Sequence, residues 1–84
     1  MTQVINQPVA ITALSFRQKG SLESFPRRME FDEKSYTFLD GLQCLIKKGQ
    51  DVVRIFDMTD GESHFRLRLS DQNDWTLMAI QRNI

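Results

Sequence analysis

The stretch RIFDMTDGESHFRLRL, residues 54–69, gathers the side chains best suited to chemistry or binding. They are Arg54, Phe56, His64, Arg66 and Arg68, and His64 is the only histidine in the chain. Apolar and polar residues alternate on either side of Thr59-Asp60-Gly61, which predicts a β-hairpin with glycine in the left-handed position of a three-residue loop. In that register Ile55 lies opposite Phe65 and Val53 opposite Leu67, forming an apolar face. Arg54, Phe56, Met58, His64, Arg66 and Arg68 then share the other face. A flat ring rimmed by guanidinium groups suits cation–π or stacking contact with a base, or docking against an acidic strand. The same pattern also arises with no ligand at all. An exposed sheet face is ordinarily polar, and arginine stems cover an exposed phenylalanine by lying along it. Arg27-Arg28 and Lys47-Lys48 are the basic doublets that would extend such a patch.

Catalysis finds little support. Ser63, His64 and the nearby aspartates contain the residue types of a hydrolytic triad. Neighbouring residues on a strand point to opposite faces, however, so Ser63 and His64 would not meet, and no nucleophile-elbow context surrounds them. Cys44, the single cysteine, would need His64 as its base, and nothing in the spacing brings the two together. Asp57, Asp60 and Glu62, and again Asp71, Asn73 and Asp74, lack the ligand spacing of a calcium loop. In turns such residues serve backbone hydrogen bonding. One cysteine and one histidine serve zinc poorly. The glycines at 20, 41, 49 and 61 are scattered, so there is no phosphate-cradling loop. The expectation is no catalytic residues, no metal, no cofactor and no enzyme.

Lys+Arg and Asp+Glu both number 11 among 84 residues, and the formal net charge is zero. Global charge therefore gives no reason to expect nucleic acid or an acidic membrane, and a neutral chain leans mildly towards self-association. The aromatic–glycine motif of RRM domains and the GXXG loop of KH domains are both missing. The opening MTQVINQPVA has neither the basic start of a signal peptide nor a membrane-spanning apolar run. A cytoplasmic protein without membrane contact is the default expectation.

These side chains must be positioned by strands. Residues 1–8 are polar and end at Pro8, which predicts a flexible N-terminal arm before a single β-rich domain over 9–84. VAITALSFR (9–17) reads as a strand with Ala10, Thr12, Leu14 and Phe16 on one side, and QKGSLESFP (18–26) as a loop. RRMEF (27–31) and SYTFL (35–39) read as a hairpin turning at Glu33-Lys34, with Phe31 opposite Tyr36 and Met29 opposite Phe38. DVVRIFDM (51–58), SHFRLRL (63–69) and WTLMAIQ (75–81) are three further strands.

Residues 40–48 read two ways. Phe38, Leu39, Leu42, Leu45 and Ile46 recur with helical period, Asp40 can cap, and Gly49 follows the last turn. Asp40-Gly41 is equally a hairpin-turn dipeptide. A short helix near 40–48 is the reading adopted here. The fold expected is mainly β, or α+β with that helix: a small antiparallel meander sheet or barrel-like fold of five to six strands.

The function expected is that of a small non-enzymatic interaction domain, binding a protein partner or itself through an exposed sheet face or edge. The alternative is a small β-barrel nucleic-acid-binding domain using the Arg54/Phe56/Arg66/Arg68 face, with Phe56 or Trp75 as stacking platforms. An enzyme centred on His64 comes third.

Overall fold

The computed structural model describes residues 2–16 and 24–82. They form eight strands: β1 (Thr2–Pro8), β2 (Ala10–Phe16), β3 (Ser24–Phe31), β4 (Lys34–Thr37), β5 (Asp40–Lys48), β6 (Asp51–Thr59), β7 (Ser63–Leu69) and β8 (Trp75–Arg82). All pairings are antiparallel. One sheet has five strands in the order β1-β8-β7-β6-β5, and the other has three in the order β2-β3-β4. The fold is mainly β, and it is two open sheets facing one another rather than a closed barrel. Among the described residues there is no helix, hence none long and apolar enough to cross a membrane.

The core lies between the sheets. Phe25 and Met29 come from β3, Phe56 and Met58 from β6, Phe65 and Leu67 from β7, Leu77 and Ile80 from β8, and Phe38 from the β4–β5 connection. Aromatic rings span the gap: Phe25 meets Phe56 edge-on at 5.9 Å, and Tyr36 and Phe38 lean on Phe65 at 5.2 and 5.3 Å. Such tilted contacts suit the ring quadrupole. In β7 the inward Phe65 and Leu67 alternate with exposed His64, Arg66 and Arg68, the two-residue period of a half-buried strand. In β8 the buried Leu77 and Ile80 stand three apart. The β7–β8 register shift between Arg66 and Leu67 restores both to the inner face.

The chain passes between sheets at two places. At Val9 it leaves β1 for β2. At Phe38-Leu39, consecutive amides bond to different sheets: Phe38 donates to the Arg27 carbonyl and Leu39 to that of Thr59, both at 2.8 Å. This crossing launches 40–48 as a nine-residue strand, neither the expected helix nor a turn at Asp40-Gly41. Gly41 is needed there for close approach. A Cβ at that position would lie 2.8 Å from the Asp57 carbonyl oxygen and would also run into the Met58 side chain.

Other expectations are corrected as well. Residues 2–8 are not a flexible arm but a strand paired with β8, carrying a bulge between Val4 and Gln7 where Asn6 takes a left-handed conformation (φ 52°). The eight strands exceed the five to six expected. The β3–β4 hairpin turns at Asp32-Glu33, both with positive φ, so Met29 meets Tyr36 and Phe31 meets Lys34. This two-residue slip leaves every side chain on its expected face. Of the loop expected over 18–26, residues 18–23 lie outside the described residues, and Ser24 already begins β3.

Candidate functional site

The β6–β7 hairpin positions the residues singled out from the sequence, and its register differs from the expected one by three. Phe56 pairs with Leu67, Met58 with Phe65, Asp57 with Arg66 and Ile55 with Arg68. The cause is the loop. Asp60 Oδ1 accepts the amides of Glu62 and Ser63 at 2.9 and 2.8 Å, while the Thr59 hydroxyl donates to the Ser63 carbonyl at 2.9 Å. These bonds hold residues 60–63 as a longer loop than Thr59-Asp60-Gly61. A slip of three is odd, so it turns one strand over relative to the other.

The predicted cluster is thereby divided. His64, Arg66 and Arg68 do share an exposed face. Phe56 does not: it is 0% exposed, held between Phe25 and Trp75, whose ring centroid is 5.1 Å away. Arg54 pairs with Leu69 and follows the parity of Phe56, so it is exposed at the open end of the sheet on the other side. Arg66 spans to Asp57, with Nε at 2.9 Å from Oδ1 and Nη2 at 3.4 Å from Oδ2. The hydrogen bond and charge of Asp57 raise the Arg66 pKa further above its ordinary value. Both side chains are about half exposed, so the pair adds little stability.

The same outer face carries a region that sequence reasoning missed. On β5, Leu42, Cys44 and Ile46 lie opposite Asp57, Ile55 and Val53 of β6. Leu42 is 73% exposed, Ile46 is 46% exposed, and Cys44 is an exposed free thiol. Leu45, on the other face, is 59% exposed. The face thus has an apolar half at β5–β6 and a basic half at β7. Its β5 border is an edge strand, unpaired by any other described strand. The available signal was a run from Leu42 to Lys48 without proline or glycine, which a helical reading absorbs equally well.

Among the described residues no catalytic constellation assembles around His64. Cys44 is two strands away and displaced along the ladder, roughly 16 Å distant by strand spacing and rise. Among the described residues no group of three or more His, Cys, Asp or Glu side chains could hold a metal. An open cleft of about 530 Å³ beside the 60–63 loop mixes Lys34 and Arg82 with Asp60 and Glu62 over Phe65. Its charges are balanced. The chain matches no known protein family, no curated protein and no solved structure.

Proposed function

We propose that this chain is a small interaction domain, without chemistry of its own, that binds protein through the outer face of its five-stranded sheet at β5–β6 and the adjoining edge strand β5. The observation that carries this reading is the exposure of Leu42 and Ile46 on an edge strand nine residues long. Exposed, regular and apolar edges are the usual templates for strand addition. Arg66 and Arg68 border that stripe and suit a partner with acidic residues at its rim. The nucleic-acid alternative is weakened because Phe56 is buried and Arg66 is occupied by Asp57.

A photo-crosslinking side chain placed at Leu42, and separately at the exposed Thr12 of the smaller sheet, tests the reading in the cell that makes the protein. Covalent adducts from position 42 and none from position 12 are expected. Equal yields from both positions, or none from either, would remove it.

A further inference from the structure

We infer that the open edge of β4 and the cleft beside it bind a short extended peptide, laid antiparallel to β4, with basic, apolar and acidic side chains at alternate positions. This site is separate from the β5–β6 face proposed above and goes beyond it.

The backbone of β4 decides which groups are open. Asp32 and Glu33 both take positive φ, and the β3–β4 hairpin closes over them on the Phe31↔Lys34 pair. A two-residue turn of this kind closes on a hydrogen-bonded pair, and such pairs recur at every second residue. The Phe38 amide, which donates to the Arg27 carbonyl, falls on the same series. Lys34, Tyr36 and Phe38 therefore bond to β3. Ser35 and Thr37 turn their N–H and C=O groups to the other side, where β4 is the last strand of its sheet. β4 has only four residues, which restricts an added strand to a short one.

The cleft of about 530 Å³ runs along that open side, since Lys34 and Tyr36 line it and none of the described β3 residues does. Tyr36 leans on Phe65 at 5.2 Å, and Lys34 lies on its side of the strand. Phe65 and Ile80, paired in the β7–β8 ladder, form the floor, with Arg82 opposite Ser63 beyond them. The volume suits a small ligand.

The charges of the cleft balance in sum and stand at opposite ends. The 60–63 loop meets the far end of β4. Leu39 donates to the Thr59 carbonyl, and a Cβ on Gly61 would lie 3.3 Å from the Leu39 side chain. Asp60 and Glu62 thus stand at the end where β4 finishes. Lys34 is three residues back from Thr37, about 10 Å along the strand. Among the described residues neither Lys34 nor Glu62 has an ion-pair partner.

A strand added antiparallel to β4 exchanges hydrogen bonds with Ser35 and Thr37. Its residues opposite Phe38, Tyr36 and Lys34 then point inwards. They face the loop carboxylates, the Phe65–Ile80 floor and the Lys34 ammonium in turn. Basic, apolar and acidic side chains at those three positions complement the site. The same peptide laid parallel would set its base against Lys34 and its acid against Asp60 and Glu62, so charge selects one direction. Main-chain bonds supply affinity and the alternate side chains supply specificity, as in other strand additions.

The test titrates the isotope-labelled full chain at low salt and follows backbone amides by NMR. The probes are acetyl-Lys-Thr-Leu-Thr-Glu-amide and its reverse, acetyl-Glu-Thr-Leu-Thr-Lys-amide. The first is expected to saturate shifts at 34–37 and 60–65, with the Ser35 and Thr37 amides moving downfield as they gain hydrogen bonds. The second should bind about tenfold more weakly, its charges being reversed at both ends. Methylating the backbone nitrogen of the second threonine, which faces Ser35, should abolish binding. Methylating that of the leucine, which faces away, should not. Lys34→Glu, at an exposed position, should turn the preference to acetyl-Lys-Thr-Leu-Thr-Lys-amide. A titration without shifts, or with shifts confined to other strands, overturns the proposal. So does equal binding of the two charge orders, or indifference to methylation at the threonine. The β5–β6 face is judged separately, by the cross-links at position 42.

Discussion

The two edges of the five-stranded sheet follow opposite plans. β1 joins through its backbone: it is almost wholly exposed, only Ile5 leans on the core, and the ladder breaks where Asn6 bulges. β5 joins β6 in an unbroken ladder and leaves Leu42, Leu45 and Ile46 in solvent. One strand hides its edge with irregularity and polarity, and the other offers a regular apolar border. The first border is guarded along its length, and the second chiefly at its ends, by Asp40 on the Gly41 amide and by Lys47 and Lys48.

Three measurements would break or sharpen that contrast. The largest effect belongs to the core beneath both edges. Phe56→Ala should cost about 3–5 kcal/mol in denaturant unfolding, as full truncation of a buried aromatic does, and Phe65→Ala should match it. Ile55→Ala, on the half-buried outer side, should cost only about 1 kcal/mol. The opposite order would restore the expected hairpin register and dissolve the outer face as described. Next comes Gly41→Ala. Its Cβ would press on the Asp57 carbonyl and the Met58 side chain, for a cost of about 1–3 kcal/mol. Amide hydrogen exchange should speed up in β5 and leave β1 unchanged; equal acceleration at both edges would mean the two borders are not independent. The smallest is Arg66→Ala, expected to change stability by at most about 1 kcal/mol because its partner Asp57 is also solvated. A larger loss would mark the basic half of the face as structural.

Where the sequence could be read, and where it could not, follows from how each strand is held. β7 was legible because buried Phe65 and Leu67 alternate with exposed His64, Arg66 and Arg68, and β6 and β8 because turn residues bound their apolar runs. The β3–β4 pairing slipped by two without consequence for its faces. The β6–β7 pairing slipped by three because β6 carries apolar residues on both sides: Val53 and Ile55 outward, Phe56 and Met58 inward. Alternation cannot choose between two apolar faces, and the choice fell to the carboxylate of Asp60 in the loop. That one hydrogen-bond pattern separated Phe56 from the arginines. β5 looked helical because apolar residues left in water at 42, 45 and 46 imitate a helical stripe. β1 looked loose because backbone pairing leaves no mark on side-chain pattern.

The bulge in β1 has a consequence in time. The first strand finds its partner in the last, with Thr2 paired to Gln81. At synthesis rates of about 5–20 residues per second, β1 waits several seconds before β8 exists. A regular apolar strand in that position would have every other strand to mispair with meanwhile; a polar, kinked one is a poor partner until the correct ladder arrives. The same placement makes β1–β8 the slowest closure in the fold, since contacts of the longest sequence separation form last. Joining the chain ends and reopening it elsewhere would turn this closure into a simple hairpin. Such a permuted chain would fold faster while gaining little in stability.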